Sequence, residues 1–227
     1  MQSHDVPTFF YSAWSGGKDA CLALYKMQQK EHKLTGLLTM MNEHNTLSRA
    51  HHLPYKLIEQ QAHALGIPLL AQPTSQTDYP KQFQAALHQM KKYDTKHLVL
   101  GDIDLQAHRD WQEQQGKLTE TTPIFPLWQQ DHNALVQEFI QTGFKATIVS
   151  ILPQKVPSKF LGKPFNLETI QALSHLNIDV CGEGGEFHTV VTDGPIFSNP
   201  IPLNVNHAQL RTDGEYGYHY LDFSELK

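Results

Sequence analysis

The apolar positions of this chain follow two periods in turn. Phe9-Phe10-Tyr11-Ser12-Ala13-Trp14 is short and aromatic-rich, which predicts a buried strand. Ala20, Leu22, Ala23, Leu24, Tyr25 and Met27 then recur along one face at helical spacing. Thr35 to Met41 predicts a second buried strand. Strand, helix and strand form a βαβ unit, which requires a parallel sheet with a right-handed crossover. The alternation continues with a helix over Pro54 to Gly66, burying Leu57, Ile58, Ala62 and Leu65 and stopping at the glycine. A short third strand is predicted at Ile67 to Leu70. An amphipathic helix follows over Pro80 to Tyr93, with Phe83, Ala86, Leu87 and Met90 inward. His97 to Asp102 is the next strand, and a helix starts near Leu105.

Pro123 to Trp128 is stiff and apolar, and predicts a boundary between two halves. Beyond it, Leu135, Val136, Phe139 and Ile140 mark a helix closed by Gly143. Ala146 to Ile151 predicts a strand, Lys155 to Gly162 a connection, and Leu167 to Leu176 a helix. After Asp193-Gly194-Pro195 the tail is proline-bearing. Tyr216, Tyr218 and Tyr220 then alternate as in a closing strand.

Composition narrows the classes of function. The chain has 227 residues, enough to bury a core as one large domain or two small ones. A net charge of −5 gives no broad basic face, so nucleic acid is not the expected partner. Cys21 and Cys181 lie far apart, with no second cysteine at metal or redox spacing, and a bridge between them is left open. No apolar run approaches the roughly 20 residues of a membrane span, and the start lacks a basic-then-apolar leader pattern. A cytoplasmic protein is expected.

Two stretches carry the chemistry. Ser15-Gly16-Gly17-Lys18-Asp19 sits where the first strand gives way to the first helix. The glycines let the backbone turn with its N–H groups free, the helix adds the positive end of its dipole, and Lys18 adds a full charge. That combination suits a phosphate, although a Ser-Gly-Gly turn alone also serves as a plain connection. The spacing is not that of the Walker loop. Met40, at the end of the second strand, would border a ligand there or serve as core filler. Gly101-Asp102 ends a further strand, where a carboxylate can hold Mg²⁺, orient a ligand or cap the next helix. In that helix Arg109 and Glu113 share a face, as a phosphate-site pair or a surface ion pair. The polar run Asn42 to His52, carrying Arg49, His51 and His52, reads as a loop at the strand ends.

The second stretch is Cys181-Gly182-Glu183-Gly184-Gly185-Glu186-Phe187-His188-Thr189. Its glycines and acids predict no core strand. Glu183, Glu186 and His188 offer acid–base or metal-binding groups, and a glycine-rich hairpin with exposed acids is the alternative.

The first stretch resembles the PP-loop of the ATP pyrophosphatase (adenine nucleotide alpha-hydrolase) superfamily, usually Ser-Gly-Gly-Lys-Asp-Ser. Ala20 replaces the last serine, so one hydroxyl donor is missing and weaker nucleotide contacts are expected. Paired with the second stretch and Asp-Gly-Pro-Ile-Phe at 193–197, it resembles the diphthine–ammonia ligase (diphthamide synthase) family. Gly101-Asp102 and Phe187-His188-Thr189 look more like its bacterial branch. The resemblance implies an α/β, Rossmann-like parallel sheet flanked by helices over residues 1–128. A smaller C-terminal α+β half over 129–227 would form the substrate site. It implies ATP and Mg²⁺, with adenylation of a carboxylate, release of pyrophosphate and AMP, and amide formation with ammonia. Nucleotide contacts fall to Ser15, Gly16, Gly17, Lys18, Asp19, Ala20, Met40 and Gly101. Catalysis falls to Lys18, Asp102, Arg109, Glu183, Glu186 and His188. The substrate would meet His51, Glu113, Gly184, Gly185 and Thr189, and Asp19 and Asp102 would hold the metal. Two alternatives stay open: a regulatory module that binds ATP or AMP without chemistry, and an RNA-modifying PP-loop enzyme. A homodimer is possible on this reading.

Overall fold

A computed structural model describes residues 7–91, 95–212 and 217–223. Strands β1 (Phe9–Ala13), β2 (Lys33–Met41), β3 (Leu69–Pro73), β4 (His97–Val99) and β5 (Thr122–Ile124) form one sheet. Its order is β3-β2-β1-β4-β5 and every pair is parallel. Helices α1 (Lys18–Gln29), α2 (Tyr55–Leu65), α3 (Tyr79–Lys91) and α4 (Gln106–Thr119) connect the strands. Successive β1 residues point to opposite faces, Phe10 into a large core and Tyr11 into a smaller one with Leu38, Phe83, Leu87 and Leu98. The sheet is thus covered on both faces, which is why its strands read as apolar runs rather than as alternations.

The second half follows through α5 (His132–Gln141), β6 (Lys145–Ile151), α6 (Leu167–Ser174), β7 (Phe187–Asp193), β8 (Gln209–Arg211) and β9 (His219–Asp222). Its strands make an antiparallel sheet in the order β7-β6-β9-β8. The large core runs without a break from Phe10, Leu22 and Leu24 to Phe139, Ile148, Phe187 and Val190, and both sheets share it.

Several boundaries differ from the pattern reading. The third strand starts at Leu69, because Pro68 has no N–H and only its carbonyl joins the ladder, accepting from the Leu37 N–H. Pro123 and Ile124 belong to β5 at the edge of the parallel sheet, where a proline is tolerated. Phe187 to Thr189 are not loop but the buried start of β7; the glycine-rich turn ends one residue earlier. Tyr220 lies in β9, whereas Tyr216 and Tyr93 fall outside the described residues. Cys21 and Cys181 are both free and buried. No described helix is long and apolar enough to cross a membrane.

The contact that positions the site joins the two halves. β7 is the edge of its sheet, and the turn after β1 covers that edge. The Val191 N–H donates to the Gly16 carbonyl at 2.9 Å, and the Lys18 N–H donates to Thr189 Oγ1 at 3.1 Å. Gln61, fully buried on α2, ties the seam together. Its Nε2 donates to the Gly16 carbonyl at 2.9 Å and the Val191 carbonyl at 2.7 Å, while its Oε1 accepts from Trp14 Nε1 at 2.9 Å. Gln61→Leu should therefore lower stability by about 2–4 kcal/mol, since it leaves buried polar groups unpaired. Exposed Gln60→Leu should cost little. Denaturant midpoints at equal m-values check this, and equal midpoints for the two variants would contradict it.

Candidate active site

The strand order reverses at β1, whose neighbours β2 and β4 continue in opposite directions, and a crevice opens at the carboxyl ends of β1 and β4. Both informative loops end there. α1 begins at Lys18 with Gly17 as its N-cap and no side-chain cap, so the first N–H groups of the helix have no partner within it. Two glycines make the approach possible. A Cβ on Gly17 would lie 2.3 Å from His51 Cε1, and one on Gly101 would lie 2.8 Å from the Ala20 nitrogen. β4 can thus end directly against the start of α1.

The crevice is a cavity of about 300 Å³. Ser15, Lys18, Asp19, Ala20, Met40, Gly101 and Asp102 line it from the parallel half. Gly182, Glu183, Phe187, His188 and Thr189 line it from the other, with His51 and Arg49 on the 42–52 loop. That loop is held by its own bonds, the Thr46 N–H to Asn42 Oδ1 and the Leu53 N–H to Ser48 Oγ. Leu38, Tyr79 and Phe83 add an apolar wall.

Lys18 is buried, with Nζ 2.7 Å from Asp19 Oδ2 and 5.5 and 5.7 Å from the centres of the Phe187 and Phe165 rings. Burial opposes its charge, but Asp19, with Cys181 and Glu183 nearby, outweighs it and raises the Lys18 pKa. The ammonium is a fixed cation. Glu183 accepts the Ile103 N–H at 2.8 Å. Burial, aided by the charges of Asp19 and Asp102, raises its pKa against the pull of Ile103 and Lys18. His51 and His188 stack with ring centres 4.5 Å apart. Burial holds His51 down to about 4, assisted by Lys18, and His188 well below the usual histidine range. Both rings are neutral at pH 7, and His51 Nδ1 lies 2.8 Å from the Thr189 carbonyl, which fixes it as the protonated nitrogen. His108 stands outermost. Its Nδ1 is 3.3 Å from Asp102 Oδ1, and that hydrogen bond raises its pKa.

Not every candidate from the sequence faces the cavity. Arg109 and Glu113 pair with each other at 2.8 Å, and Arg109 stacks on Trp128 and Phe125. Leu105, His108 and Gln112 occupy the cavity side of that segment instead, one helical position away. Glu186 turns from the cavity to Lys155 at 3.0 Å. Gly16 and Gly17 lie beneath the loop, packed on Gln61, Leu53 and His51. Gly184 and Gly185 shape the turn, and the Gly185 carbonyl accepts from the Tyr218 hydroxyl at 2.6 Å. Sequence reasoning passed over Gln61, His108, His132 and Asp179. Only Gln61 gave a signal, as a polar residue on the apolar stripe of Leu57, Ile58, Ala62 and Leu65.

Behind the glycine-rich turn, Asp179 accepts the N–H groups of Cys181 at 3.0 Å and Glu183 at 2.8 Å. His132 bridges it to the parallel half, with Nδ1 2.6 Å from Asp179 and Nε2 3.2 Å from Asp104. His132, Asp179 and Cys181 have ligand atoms within 4.8 Å of one another. Both ring nitrogens are occupied by carboxylates, however, and the Cys181 thiol donates to the His132 carbonyl with its pKa raised by burial, so the set reads as a hydrogen-bonded brace. Burial opposes the His132 charge, but the hydrogen bond and charge of Asp179 win and raise it above 6.5. Burial likewise opposes ionised Asp179, yet His132 and the two N–H donors lower it below 3.8. A raised histidine stabilises below its unfolded pKa and loses that contribution as pH rises through the folded one; a lowered aspartate does the reverse. The stability lost on His132→Gln should therefore be largest between about pH 4 and 6.5, and shrink above and below that window. Thermal unfolding of both proteins across pH checks this, and a difference that grows above neutrality would contradict it.

The diphthamide synthase N-terminal domain matches residues 10–118, and the diphthamide synthase C-terminal domain matches residues 131–224. A diphthine–ammonia ligase of Danio rerio is 23% identical over 228 residues, covering 89% of each chain. That of Homo sapiens is 25% identical over 242 residues, covering 93% of this chain and 89% of its own. A solved chain described as a predicted subunit of tRNA methyltransferase from Methanocaldococcus jannaschii matches 83% of this chain and all of its own, at 15% identity and a TM-score of 0.43. With both domains matched in order around one shared cavity, this chain belongs to the diphthamide synthase family.

Proposed function

We propose that this protein is an ATP-dependent ligase that adenylates a carboxylate and passes it to ammonia as an amide. Its relatives named diphthine–ammonia ligases support a ligase activity. The observation that carries the finer reading is the shared cavity. A helix N-terminus that its own N-cap residue leaves without a side-chain cap and a fixed ammonium stand on one wall, and a carboxylate of raised pKa stands on the other. In the reaction, a carboxylate oxygen of the acceptor displaces pyrophosphate from the α-phosphorus of ATP. Nitrogen then displaces AMP from the carboxyl carbon.

Each wall has a role in these steps. The N–H groups at the start of α1 and the Lys18 ammonium face the charge that grows on the departing pyrophosphate. They are in place before reaction, so nothing must reorganise. Leu38, Met40, Tyr79 and Phe83 give an apolar surface suited to a base. The carboxylates of Asp19 and Asp102 both act on Glu183 as like charges, so three acidic groups lie near one another in the cavity beside the Lys18 ammonium. Their ligand atoms do not close into a complete protein-only set among the described residues. That fits Mg²⁺, which needs only one or two carboxylates when phosphate oxygens and water complete its shell. Asp102 and Asp19 would hold it, where it would offset phosphate charge.

Glu183 is the proton acceptor for the incoming nitrogen. Ammonia attacks only as the neutral molecule, and a carboxylate of raised pKa inside the cavity is the best-placed base for its proton. His188 is a poor base, because burial beside His51 depresses its pKa, and Glu186 faces Lys155. The part of His188 is to shape the wall. The acceptor is a small molecule or modified side chain that carries the carboxylate.

Lys18→Ala should weaken Mg-ATP binding by about 10–100-fold, the range for losing a hydrogen bond between charged groups. Glu183→Gln should keep ATP affinity within about threefold while slowing amide formation by about 100-fold or more. Calorimetry with Mg-ATP, and chromatography of nucleotide products with ammonium and a carboxylate pool, separate the two effects. AMP is the product expected. ADP as product, or equal loss of ATP affinity in both variants, would overturn the proposal.

A further inference from the structure

Ala20 removes a hydroxyl from the start of α1, and the fold brings another to the same place. Thr189, 1% exposed on β7, faces the cavity with its hydroxyl at the helix N-terminus. Oγ1 accepts the Lys18 N–H at 3.1 Å, across 171 residues of chain. A threonine hydroxyl can accept two hydrogen bonds and donate one. Accepting from Lys18 leaves its own hydrogen free, and among the described residues Oγ1 makes no hydrogen bond as a donor. A buried donor without an acceptor is costly, and here it opens onto a cavity beside an ammonium and uncapped helix N–H groups. The complement to such a donor is an anionic oxygen.

We propose that Thr189 is a phosphate-binding residue whose hydroxyl, delivered from the C-terminal sheet, replaces the one absent at Ala20. The proposal rests on the nucleotide-binding reading above. The ligand class is a polyphosphate, bound between α1 and β7. Thr189 does not depend on its own rotamer alone. The Lys18 N–H holds Oγ1, His51 Nδ1–H holds the Thr189 carbonyl at 2.8 Å, and the Val191 N–H fixes the strand to Gly16 at 2.9 Å. His51 is thus a positioning residue for this hydroxyl. The arrangement also makes polyphosphate affinity depend on the docking of the two halves. A helix serine would lack that dependence, since it travels with its own helix.

Thr189→Val keeps the β-branched shape and removes the hydroxyl, and Thr189→Ser keeps the hydroxyl. By calorimetry with Mg²⁺ and a non-hydrolysable ATP analogue, Thr189→Val should bind about 10–100-fold more weakly, the range for a hydrogen bond to a charged group. Its affinity for adenosine should stay within about threefold of the wild type. Thr189→Ser should bind as the wild type does. Ala20→Ser placed in the Thr189→Val background should recover affinity for the analogue to within about fivefold, a rescue that a merely structural role for Thr189 would not produce. Wild-type affinity in Thr189→Val, or no recovery in the double variant while it still binds adenosine, would overturn this assignment alone. No binding of the analogue by the wild type would overturn the nucleotide reading and this assignment with it.

Discussion

The docking of the β7 edge onto the turn after β1 governs this structure. An edge strand carries unpaired N–H and C=O groups that must find partners. Here the Gly16 carbonyl accepts the Val191 N–H, Gln61 donates to the Val191 carbonyl and His51 to the Thr189 carbonyl, while the Lys18 N–H donates to the Thr189 hydroxyl beside them. The same residues thus cover a sheet edge and form one wall of the cavity. Because the Gly16 and Val191 carbonyls are satisfied by buried donors, the turn is held in shape before any ligand arrives. Preorganisation of this kind is what charge stabilisation in a cavity requires.

Electrostatics follow from that seam. Lys18 is buried yet remains charged, since Asp19 lies at 2.7 Å and two aromatic rings face its ammonium. The carboxylates Asp102 and Glu183 approach from opposite halves, and Glu183 is pinned by the Ile103 N–H of the parallel half. The Asp104–His132–Asp179 brace fixes the far side of the turn. The cavity is therefore framed by three crossings between the halves: the seam at β7, the Ile103–Glu183 hydrogen bond and the ionic brace through His132. Its histidines, His51 and His188, contribute shape rather than charge at neutral pH.

The parts that could be read from the sequence are those whose cause is local. A glycine pair and a lysine between an aromatic strand and an apolar helix announce a turn with free N–H groups, and the strands buried on both faces show as apolar runs. The i,i+4 spacing of Arg109 and Glu113 announces an ion pair, which the structure contains. It does not announce which side of α4 meets the cavity, since a rotation of about 100° decides between Arg109 and His108. Glu186 and His188 looked alike as acid–base groups in a polar stretch. The turn at 182–186 and the pleat of β7 send one to Lys155 and the other to the cavity. Gln61 acts only through partners more than 40 residues away, and His132 acts through Asp104 and Asp179 on separate elements, so no local pattern encodes either. The donor at Thr189 was equally hidden, because it compensates a loss at Ala20 from a different sheet.

Hydrogen–deuterium exchange with and without a non-hydrolysable ATP analogue and Mg²⁺ tests the shared cavity most directly. The account predicts slowed exchange in two segments at once, residues 15–21 and residues 182–191, with little change in β8. Protection confined to the first segment, with the second unaffected, would contradict it.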